Sequence, residues 1–496
     1  MLLSAGNSWT LAEAAHLLNR AGFGGSPQEI RVLHRLGRSA AVDALLNPNE
    51  SVAAFPVPDW ATPARAAEDL KSLQAARKQL QNDIRALPEA EAEERKRVFN
   101  QKEQEVTQQH IQEAQHWWFR RMLLTRAPLR EKLTLFWHDH FATSHQKVRQ
   151  PVYLVWQNQR LREHSIGSFH ELTTEMVRDP AMMLYLDSEN SKKARPNENF
   201  ARELMELFTL GVGHYQEADV RQAARAFTGY QINRSTGEVL LNRKLHDDRE
   251  KSVLGQTGKW NAEEVVDIIF ATPRPATFLA TKLWDFFVGS PPPADTIQAL
   301  AEILRSSRYQ LRPALRRLFL SKEFYALKVM RNQIKSPVQF LVQLLRQLEI
   351  SQPPEGFPMN GQQQLGQVLF MPPNVAGWNW GRAWINTNTL LARYNLADAL
   401  TRQPKPNRQT KPKPNPAKPM AAAKVDFARL VPPPMRQNPE AIVDALVFRF
   451  FNASISKPLR ALFLEFAETA REHPMTDADV GDLCHLMLST PDYQLT

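Results

Sequence analysis

The sequence predicts a mainly α-helical protein with negligible β-structure, built as one large multi-helix body with a long helical hairpin inserted near its start. Three observations predict this class. Glycine is scarce, at 19 of 496 residues, whereas an average protein contains about 7%. Long stretches are rich in Ala, Leu, Gln, Glu and Arg, which favour helices. Apolar residues also recur at the three- and four-residue spacing of a helix face.

The predicted elements follow in chain order. Two short helices lie within residues 9–47, and the first is capped by Ser8 or Thr10. The inserted hairpin comprises residues 63–87 and 89–124, joined at Pro88, because both arms carry an apolar spacing of three to four on an otherwise charged surface. Only residues 236–246 resemble a strand. Further helices are predicted at about 128–143, 151–163, 167–178, 197–210, 217–228, 262–270, 275–288, 295–306, 310–318, 336–349, 438–472 and 476–490.

A basic, proline-rich segment divides the chain. Residues 401–424 hold seven of the ten excess positive charges and no acidic residue, so they cannot bury enough apolar surface to fold. We therefore predict a helical body over 1–400 that contains the hairpin 63–124, a disordered basic linker over 401–437, and a C-terminal helical segment over 438–496 that docks on the body. The linker is interpreted as a soluble spacer, and contact with nucleic acid or anionic lipid is the alternative.

Composition and local patterns exclude several classes of protein. No apolar run reaches the roughly 18–20 residues of a membrane helix, so no membrane span is predicted. Cys484 is the single cysteine, so an internal disulfide is impossible. The first residues resemble no secretion signal, and a cytoplasmic protein is expected. No stripe of Lys and Arg with interleaved aromatic residues marks the folded part as a nucleic-acid-binding surface.

The first chemically suggestive segment is residues 130–145, which contains His138 and His140. Imidazole is a common ligand of Zn, Fe, Cu and Ni. Residues two positions apart in a helix point about 200° apart, so joint ligation requires the helix to end here. The alternative is one buried, hydrogen-bonded histidine and one surface histidine.

The second segment is the predicted helix over residues 197–210. Glu203 and Glu206 lie one turn apart on one face, which suits a metal ion or acid–base chemistry. The alternative is a pair of surface ion pairs, in which Arg202 bonds to Glu198 and Glu206 at a spacing of four residues.

The third segment is a short acidic loop with His246 and Asp247, which provides metal ligands in one interpretation and a simple turn in the other. Arg225, on the predicted helix 217–228, is expected to be buried and to form a bidentate bond with a glutamate of the preceding helix. The candidate glutamates are Glu198, Glu203 and Glu206.

The fourth segment, residues 369–387, combines three tryptophans and three asparagines. Indole faces and amide groups together hold sugars or other polar ring compounds. The alternative is a long loop that packs its own aromatic side chains and satisfies its backbone through the asparagines. The candidate ligand-binding residues are Asn374, Trp378, Trp384 and Asn386.

Six segments resemble, in the right order, the bacterial "domain of unknown function 1800" family, over nearly the whole chain. The resemblance implies no activity. It implies, as a partner, a protein of a second uncharacterised family, numbered 1501, which resembles sulfatases and alkaline phosphatases and often carries a twin-arginine export signal, so export with that partner stays open. Phe208 stands where some members have His, and Asn379-Trp380-Gly381 stands where many have Gly-Gly. The segments are residues 16–24, 136–141, 197–211, 219–229, 246–247 and 372–386.

Two hypotheses about function compete. The first is a metal-dependent enzyme, hydrolytic or oxidative, in which Glu198 or Glu206 is the acid or base and Arg225 holds an anionic substrate. Its divalent metal ion would be bound by His138, His140, Glu203, His246 and Asp247. The second is a non-enzymatic helical scaffold or assembly partner of the phosphatase-like protein. Three separate clusters of His, Asp and Glu favour the enzyme, although none has a strict metal spacing such as His-Glu-x-x-His.

Overall fold

The computed structural model describes residues 5–6, 8–402, 425–452, 454–469 and 474–496. Over these ranges the chain forms 23 α-helices and two small two-stranded sheets, so the predicted mainly α-helical class is confirmed. Most of the predicted basic linker, residues 403–424, lies outside the described residues. No helix in the described ranges is long and apolar enough to cross a membrane.

Three short helices and two long ones form the first quarter of the chain. The first helix begins with a capping box. The Thr10 hydroxyl accepts a hydrogen bond from the Glu13 backbone N–H, and the Glu13 carboxylate accepts one from the Thr10 backbone N–H. The long pair is largely exposed until its second helix enters the core at Trp118 and Met122. These helices are α1 (Leu11–Arg20), α2 (Pro27–Arg35), α3 (Arg38–Leu46), α4 (Pro63–Asp83) and α5 (Glu89–Leu124).

The middle of the chain continues with seven helices. A π-helical turn, Leu204–Thr209, follows directly on the sixth of them. The helices are α6 (Pro128–His140), α7 (His145–Val148), α8 (Pro151–Glu163), α9 (Phe169–Val177), α10 (Pro180–Tyr185), α11 (Asn199–Glu203) and α12 (Glu217–Ala226).

Both sheets are antiparallel hairpins that follow α12. In the first, Gln231 lies opposite Leu240, and in the second, Ser252 lies opposite Thr257. The strands are β1 (Tyr230–Ile232), β2 (Val239–Leu241), β3 (Lys251–Val253) and β4 (Gln256–Gly258).

Eleven helices complete the described part of the chain. Residues 425–437 belong to the predicted linker, yet they contain a helical turn because Phe427, Leu430 and Val431 are buried. The helices are α13 (Ala262–Ala271), α14 (Arg274–Phe287), α15 (Thr296–Ser306), α16 (Leu311–Phe319), α17 (Pro337–Gln347), α18 (Phe357–Leu365), α19 (Thr387–Thr401), α20 (Phe427–Leu430), α21 (Pro439–Phe451), α22 (Lys457–Glu468) and α23 (Asp477–Leu488).

One continuous apolar core extends from α1 to α23. At its centre, Glu131 of α6 bonds to Arg121 of α5 at 2.6 Å and to Arg162 of α8 at 2.7 Å, and all three side chains are fully buried. Although burial alone would raise it, the pKa of Glu131 is lowered because two guanidinium groups surround the carboxylate. This charged centre joins three helices.

The C-terminal helices share that core with the rest of the chain. The buried Tyr493 donates its hydroxyl hydrogen to Gln347 of α17 at 2.8 Å, and the Lys335 backbone donates to the Gln494 carbonyl at 2.8 Å. Leu495 pairs with Ile334 as a short antiparallel bridge. The last residues therefore lie against the segment that precedes α17, next to the cavity described below.

Candidate functional site

A cavity of about 730 Å³ opens between α1, α6, α14, the segment that leads into α17 and the tryptophan-rich loop 372–386. Its volume is within the range of small-molecule sites, about 300–1,000 Å³. Aromatic and cationic side chains dominate its wall. They include Arg20, Lys132, Phe136, Lys282, Phe286, Trp378, Trp380 and Arg382, with Asp139 and Asp285 as the acidic members.

One face of α6 and one face of α14 provide the central side chains. On α6, Lys132, Phe136, Asp139 and His140 follow the spacing i, i+4, i+7, i+8, which places them on one side of a helix. On α14, the spacing i, i+3, i+4 likewise places Lys282, Asp285 and Phe286 on one side of the helix. The two faces meet at the ring contact between Phe136 and Phe286, at 5.0 Å. Helix periodicity thus directs the charged groups into one space.

Arg20, the last residue of α1, is the most deeply buried cation of the cavity, with 2% of its surface exposed. Its Nη2 donates to the Val329 carbonyl at 2.9 Å and also to the Asn332 amide oxygen. Its Nε and Nη1 are buried without a hydrogen-bond partner in the described part of the chain. Burial lowers the pKa of Arg20 to about 9. Buried N–H groups without an acceptor are costly, so this guanidinium is only partly satisfied by the described residues.

Lys132 provides a second cation on the same wall. Its Nζ donates to Gln339 Oε1 at 2.5 Å and lies 5.1 Å and 5.6 Å from the ring centres of Phe23 and Phe286. Burial, together with the nearby Arg20, lowers the pKa of Lys132 to about 7. At neutral pH this amine is therefore close to half deprotonated.

Lys282 forms a chain of polar contacts with His140. The Nε2 atom of His140 lies 3.0 Å from the Phe208 carbonyl, so we assign the ring hydrogen to Nε2 and leave Nδ1 as an acceptor. Lys282 Nζ donates to that Nδ1 at 3.2 Å. Burial lowers the pKa of Lys282 to about 8, although Asp139 opposes this shift. The pKa of His140 is lowered well below its ordinary value, mainly by burial and to a smaller extent by the charge of Lys282.

Asp139 connects α6 to the tryptophan-rich loop. Its Oδ1 accepts from the Trp378 backbone at 2.7 Å, and its Oδ2 accepts from the Trp380 indole at 2.8 Å. Burial raises the pKa of Asp139 to about 6 despite both hydrogen bonds. Gly377 permits this approach, since its φ is +83° and a Cβ there would lie 2.3 Å from the Asp139 carboxylate.

The cavity thus collects three groups that change charge near neutral pH. The pKa is about 6 for Asp139, about 7 for Lys132 and about 8 for Lys282. Groups shifted towards neutrality by burial in a cleft are typical of sites that transfer protons. Arg20 adds a fixed positive charge, and the aromatic rings exclude water from much of the wall.

Of the predicted metal ligands, His140 lies on the wall of the cavity, and His138, Glu203, His246 and Asp247 do not. His138 Nε2 accepts from the Phe370 backbone at 3.2 Å, and burial lowers the pKa of His138 to about 3. His246 Nδ1 lies 2.9 Å from the Thr228 carbonyl. Since α6 continues to His140, its two histidines face different partners. Among the residues that the structure describes, no three His, Cys, Asp or Glu side chains form a group that could hold a metal ion.

The glutamates of the second motif are engaged near the surface. Arg202 bonds to Glu217 at 2.6 Å and to Glu198 at 3.4 Å, and Glu206 accepts from the Tyr215 hydroxyl. Glu203 is half-buried, and burial together with the neighbouring Glu206 raises its pKa. The structure therefore supports the expected ion pair between Glu198 and Arg202 and places none of these carboxylates on the wall of the cavity.

The prediction for Arg225 was correct about the kind of bond and wrong about the partner. Arg225 bonds to Asp247 through Nε at 2.8 Å and Nη2 at 3.3 Å, instead of to a glutamate of the preceding helix. α12 contacts α11 at its start through the ion pair of Glu217 with Arg202, and at its end through its C-cap residue Phe227 against Phe200 at 4.9 Å. Arg225 also donates to the Glu250 carbonyl, so Asp247 belongs to an ion pair that links the end of α12 to the loop before β3.

Most of the candidate residues in the tryptophan-rich loop follow the loop-packing interpretation, and one follows the ligand-binding interpretation. Asn374 accepts from the Ala376 backbone at 2.9 Å and Asn386 caps α19 through the Thr389 backbone at 2.9 Å, so both asparagines shape the chain. Trp384 is buried against Trp380. Of the four candidates, Trp378 alone lines the cavity, where Trp380 joins it with 41% of its surface exposed.

Reasoning from the sequence missed Arg20, Lys132 and Lys282. A signal was present for Lys132, because a lysine that shares a helix face with Phe136 interrupts an apolar stripe. Lys282 interrupts the stripe of α14 in the same way, ahead of Phe286. For Arg20 no comparable local signal exists, since a basic residue in the last turn of a helix is ordinary.

Comparisons with known proteins add a family and no activity. A family model described as "Protein of unknown function (DUF1800)" matches residues 16–495, which is nearly the whole chain. No curated protein and no solved structure matches the chain.

Proposed function

The chain belongs to the DUF1800 family of proteins of unknown function, and we propose that its cavity is an active site that binds a small organic anion and transfers protons to or from it. The observation that carries this proposal is Arg20 on the cavity wall, whose buried Nε and Nη1 have no hydrogen-bond partner among the described residues. A carboxylate or phosphate group on the ligand would offer an acceptor to this guanidinium.

The charge balance of the wall also favours an anion. Arg20, Lys132 and Lys282 stand against Asp139 and Asp285, and burial raises the pKa of Asp139 to about 6, which reduces the negative charge that Asp139 carries near that pH. Aromatic rings on both sides favour a ligand with a flat apolar part. The ligand class supported by the wall is therefore a compact organic acid.

Proton transfer is assigned to Asp139 and Lys282. Each titrates near neutral pH, and Lys282 is held by the Nδ1 atom of His140 at 3.2 Å. A pair with pKa values of about 6 and about 8 provides an acid and a base in the same pH range. His140 acts as a positioning residue, because its other nitrogen is tied to the Phe208 carbonyl.

This proposal keeps the enzyme hypothesis and changes its centre. The metal-dependent version required His138, His140, Glu203, His246 and Asp247 to converge, and the proposal uses only His140 of this set. The alternative hypothesis, a helical scaffold for a phosphatase-like partner, requires no small-molecule ligand in the cavity. Binding of an organic anion therefore discriminates between the two.

The test is a calorimetric titration of the full chain with benzoate, and with benzamide as the uncharged comparison. Benzoate should bind and benzamide should not, because only benzoate presents an anion to Arg20 and the lysines. The Lys282→Met variant should weaken benzoate binding about tenfold or more, while Lys147→Met, which removes an exposed lysine paired with Asp187, should leave it unchanged. Equal binding of benzoate and benzamide, or no loss in Lys282→Met, would overturn the proposal.

The pH dependence supplies an independent readout. The affinity for benzoate should fall as pH rises from 6 to 9, because Asp139 gains a negative charge near pH 6 and Lys282 loses its positive charge near pH 8. The decrease near pH 8 should be reduced in Lys282→Met. An affinity that stays constant over this range would contradict the assignment of both groups to the site.

A further inference from the structure

Among the residues that the structure describes, the amine of Lys132 is bound only by neutral groups. Its one hydrogen-bond acceptor is the amide oxygen of Gln339, and its other close neighbours are the faces of Phe23 and Phe286. No ion pair joins Lys132 to a carboxylate within the described ranges. Lys147 provides the contrast, since it is exposed and paired with Asp187 at 2.6 Å.

The surroundings of Lys132 weaken its hold on a proton. Its burial and the neighbouring Arg20 both favour the uncharged amine. A desolvated lysine beside another cation is the arrangement that activates an amine as a nucleophile towards carbonyl compounds. Lys132 and Arg20 line the same cavity, so an acid group and a carbonyl group of one ligand can be held together.

We propose that the ligand of this cavity is a small oxo acid, that Lys132 forms a Schiff base with its carbonyl carbon, and that Arg20 holds its acid group. This inference rests on the proposed function, because it names the substrate class of the same cavity. It requires an uncharged amine, an accessible carbonyl and an anion-binding group on one wall, and the described residues provide the amine and the anion-binding group.

The covalent step balances without an oxidant or reductant. The lone pair of the Lys132 amine forms a C–N bond with the carbonyl carbon, and the π pair of the carbonyl moves to its oxygen, which takes a proton from the nitrogen. The resulting carbinolamine loses that oxygen as water after one more proton is added, and the nitrogen lone pair forms the C=N bond. The product is a protonated imine, and one proton is consumed.

The experiment is reductive trapping on the full chain with glyoxylate and cyanoborohydride, followed by peptide mass spectrometry that measures modification at each lysine. At pH 7, Lys132 should be labelled at least about tenfold faster than Lys147, because an ordinary lysine is almost fully protonated there. Its labelling rate should level off near pH 7 to 8, whereas that of Lys147 should still increase at pH 9. Equal rates at the two lysines would overturn the proposal.

Acetaldehyde provides the matched control for the acid group. The ratio of the glyoxylate labelling rate to the acetaldehyde labelling rate should be at least about tenfold higher at Lys132 than at Lys147, because only glyoxylate has a carboxylate for Arg20. A ratio equal at both lysines would show that no acid group is recognised beside Lys132, which contradicts the proposal. The Lys132→Arg variant, which keeps a cation but has no primary amine, should lose the trapped product.

The two proposals fail differently. If benzoate binds and Lys132 is not trapped by glyoxylate, the anion site stands and the Schiff base is wrong. If neither benzoate binds nor Lys132 reacts faster than Lys147, both are wrong.

Discussion

At the scale of single residues, burial controls the charge of the cavity more than ion pairing does. Asp139 accepts two hydrogen bonds, at 2.7 and 2.8 Å, and burial still raises its pKa to about 6. Asp247 shows the opposite outcome, because side-chain hydrogen bonds from Arg249 and Arg225 hold its pKa well below the usual range. An aspartate side chain thus changes its charge near pH 6 at Asp139 and stays a fixed anion at Asp247.

The raised pKa of Asp139 makes the stability of the protein depend on pH. Between about pH 4 and pH 6 the folded carboxyl group keeps its proton while the unfolded one loses it, so the folded state binds more protons and the free energy of unfolding falls as pH rises. Relative to the Asp139→Asn variant, wild type should therefore lose stability from pH 4 to pH 7. Urea unfolding at pH 4, 5, 6 and 7 measures this difference.

The control for this prediction is Asp444→Asn, which changes an exposed aspartate that bonds to Arg460. It should show no comparable loss of wild-type stability with rising pH. A difference between wild type and Asp139→Asn that stays constant or increases with pH would contradict the burial of an ionisable carboxyl group at this position.

Gly377 permits the close approach of the tryptophan-rich loop to Asp139. Its φ is +83°, and an added Cβ would lie 2.3 Å from Asp139 Oδ1 and 2.6 Å from the Asp139 carbonyl oxygen. Gly377→Ala should therefore displace the Trp378 backbone from Asp139, weaken benzoate binding, and lower the free energy of unfolding. The comparison variant is Gly366→Ala, at φ +84° with nothing within 4 Å.

Both variants carry the cost of a side chain at positive φ, about 1 kcal/mol. Only Gly377→Ala adds a clash with backbone, so it should lose at least about 1 kcal/mol more than Gly366→Ala in denaturant unfolding. Similar losses in the two variants, with benzoate binding intact in both, would show that the close approach to Asp139 does not matter.

At the scale of elements, α6 has two functions on two faces. One face presents Lys132, Phe136 and Asp139 to the cavity, and the other carries Glu131 into the fully buried cluster with Arg121 and Arg162. The cluster joins α6 to α5 and α8. The position of the cavity wall therefore depends on the buried carboxylate of Glu131, which does not line the cavity.

Removing that charge should be strongly destabilising. Glu131→Gln keeps the shape of the side chain and leaves two guanidinium groups buried without their carboxylate, which is expected to cost about 3–5 kcal/mol. Denaturant unfolding of the purified variant measures the loss. Glu94→Gln, which breaks an exposed ion pair with Arg97 on α5, should leave stability unchanged within error, and a similarly small effect of Glu131→Gln would show that the buried cluster is not needed.

At the scale of the whole molecule, the C-terminal helices and the earlier part of the chain form one core. Tyr493 reaches Gln347, and Leu495 pairs with Ile334 beside the cavity. The two parts of the chain should therefore unfold together, although the basic segment separates them in sequence.

The sequence provides two probes for this prediction. All eleven tryptophans lie before residue 402 and report on the earlier part, whereas the single cysteine, Cys484, is buried in α23 and reports on the later part. In urea, the change in tryptophan fluorescence and the gain in thiol reactivity of Cys484 should have the same midpoint. Exposure of Cys484 at a clearly lower urea concentration would show that the C-terminal helices unfold as a separate unit.

The sequence by itself determined the helical class and most of the local structure. Caps such as Thr10 with Glu13, the proline at the start of α4 and the apolar spacing of α14 act within a few residues, so their effect can be predicted without knowledge of the rest of the chain. The same local reasoning correctly anticipated that Arg202 bonds to Glu198 and that Asn386 satisfies backbone groups in its loop.

Only the tertiary structure decided which side chains meet. Arg20, Lys132 and Lys282 are separated by more than a hundred residues each and converge because α1, α6 and α14 pack around one cavity. Periodicity shows which face of a helix is apolar, but 23 helices offer many similar apolar faces, and non-directional hydrophobic burial does not specify a partner from local pattern. For that reason His138 and His246, prominent in the sequence, contact backbone groups away from the cavity, whereas His140 and two inconspicuous lysines line it.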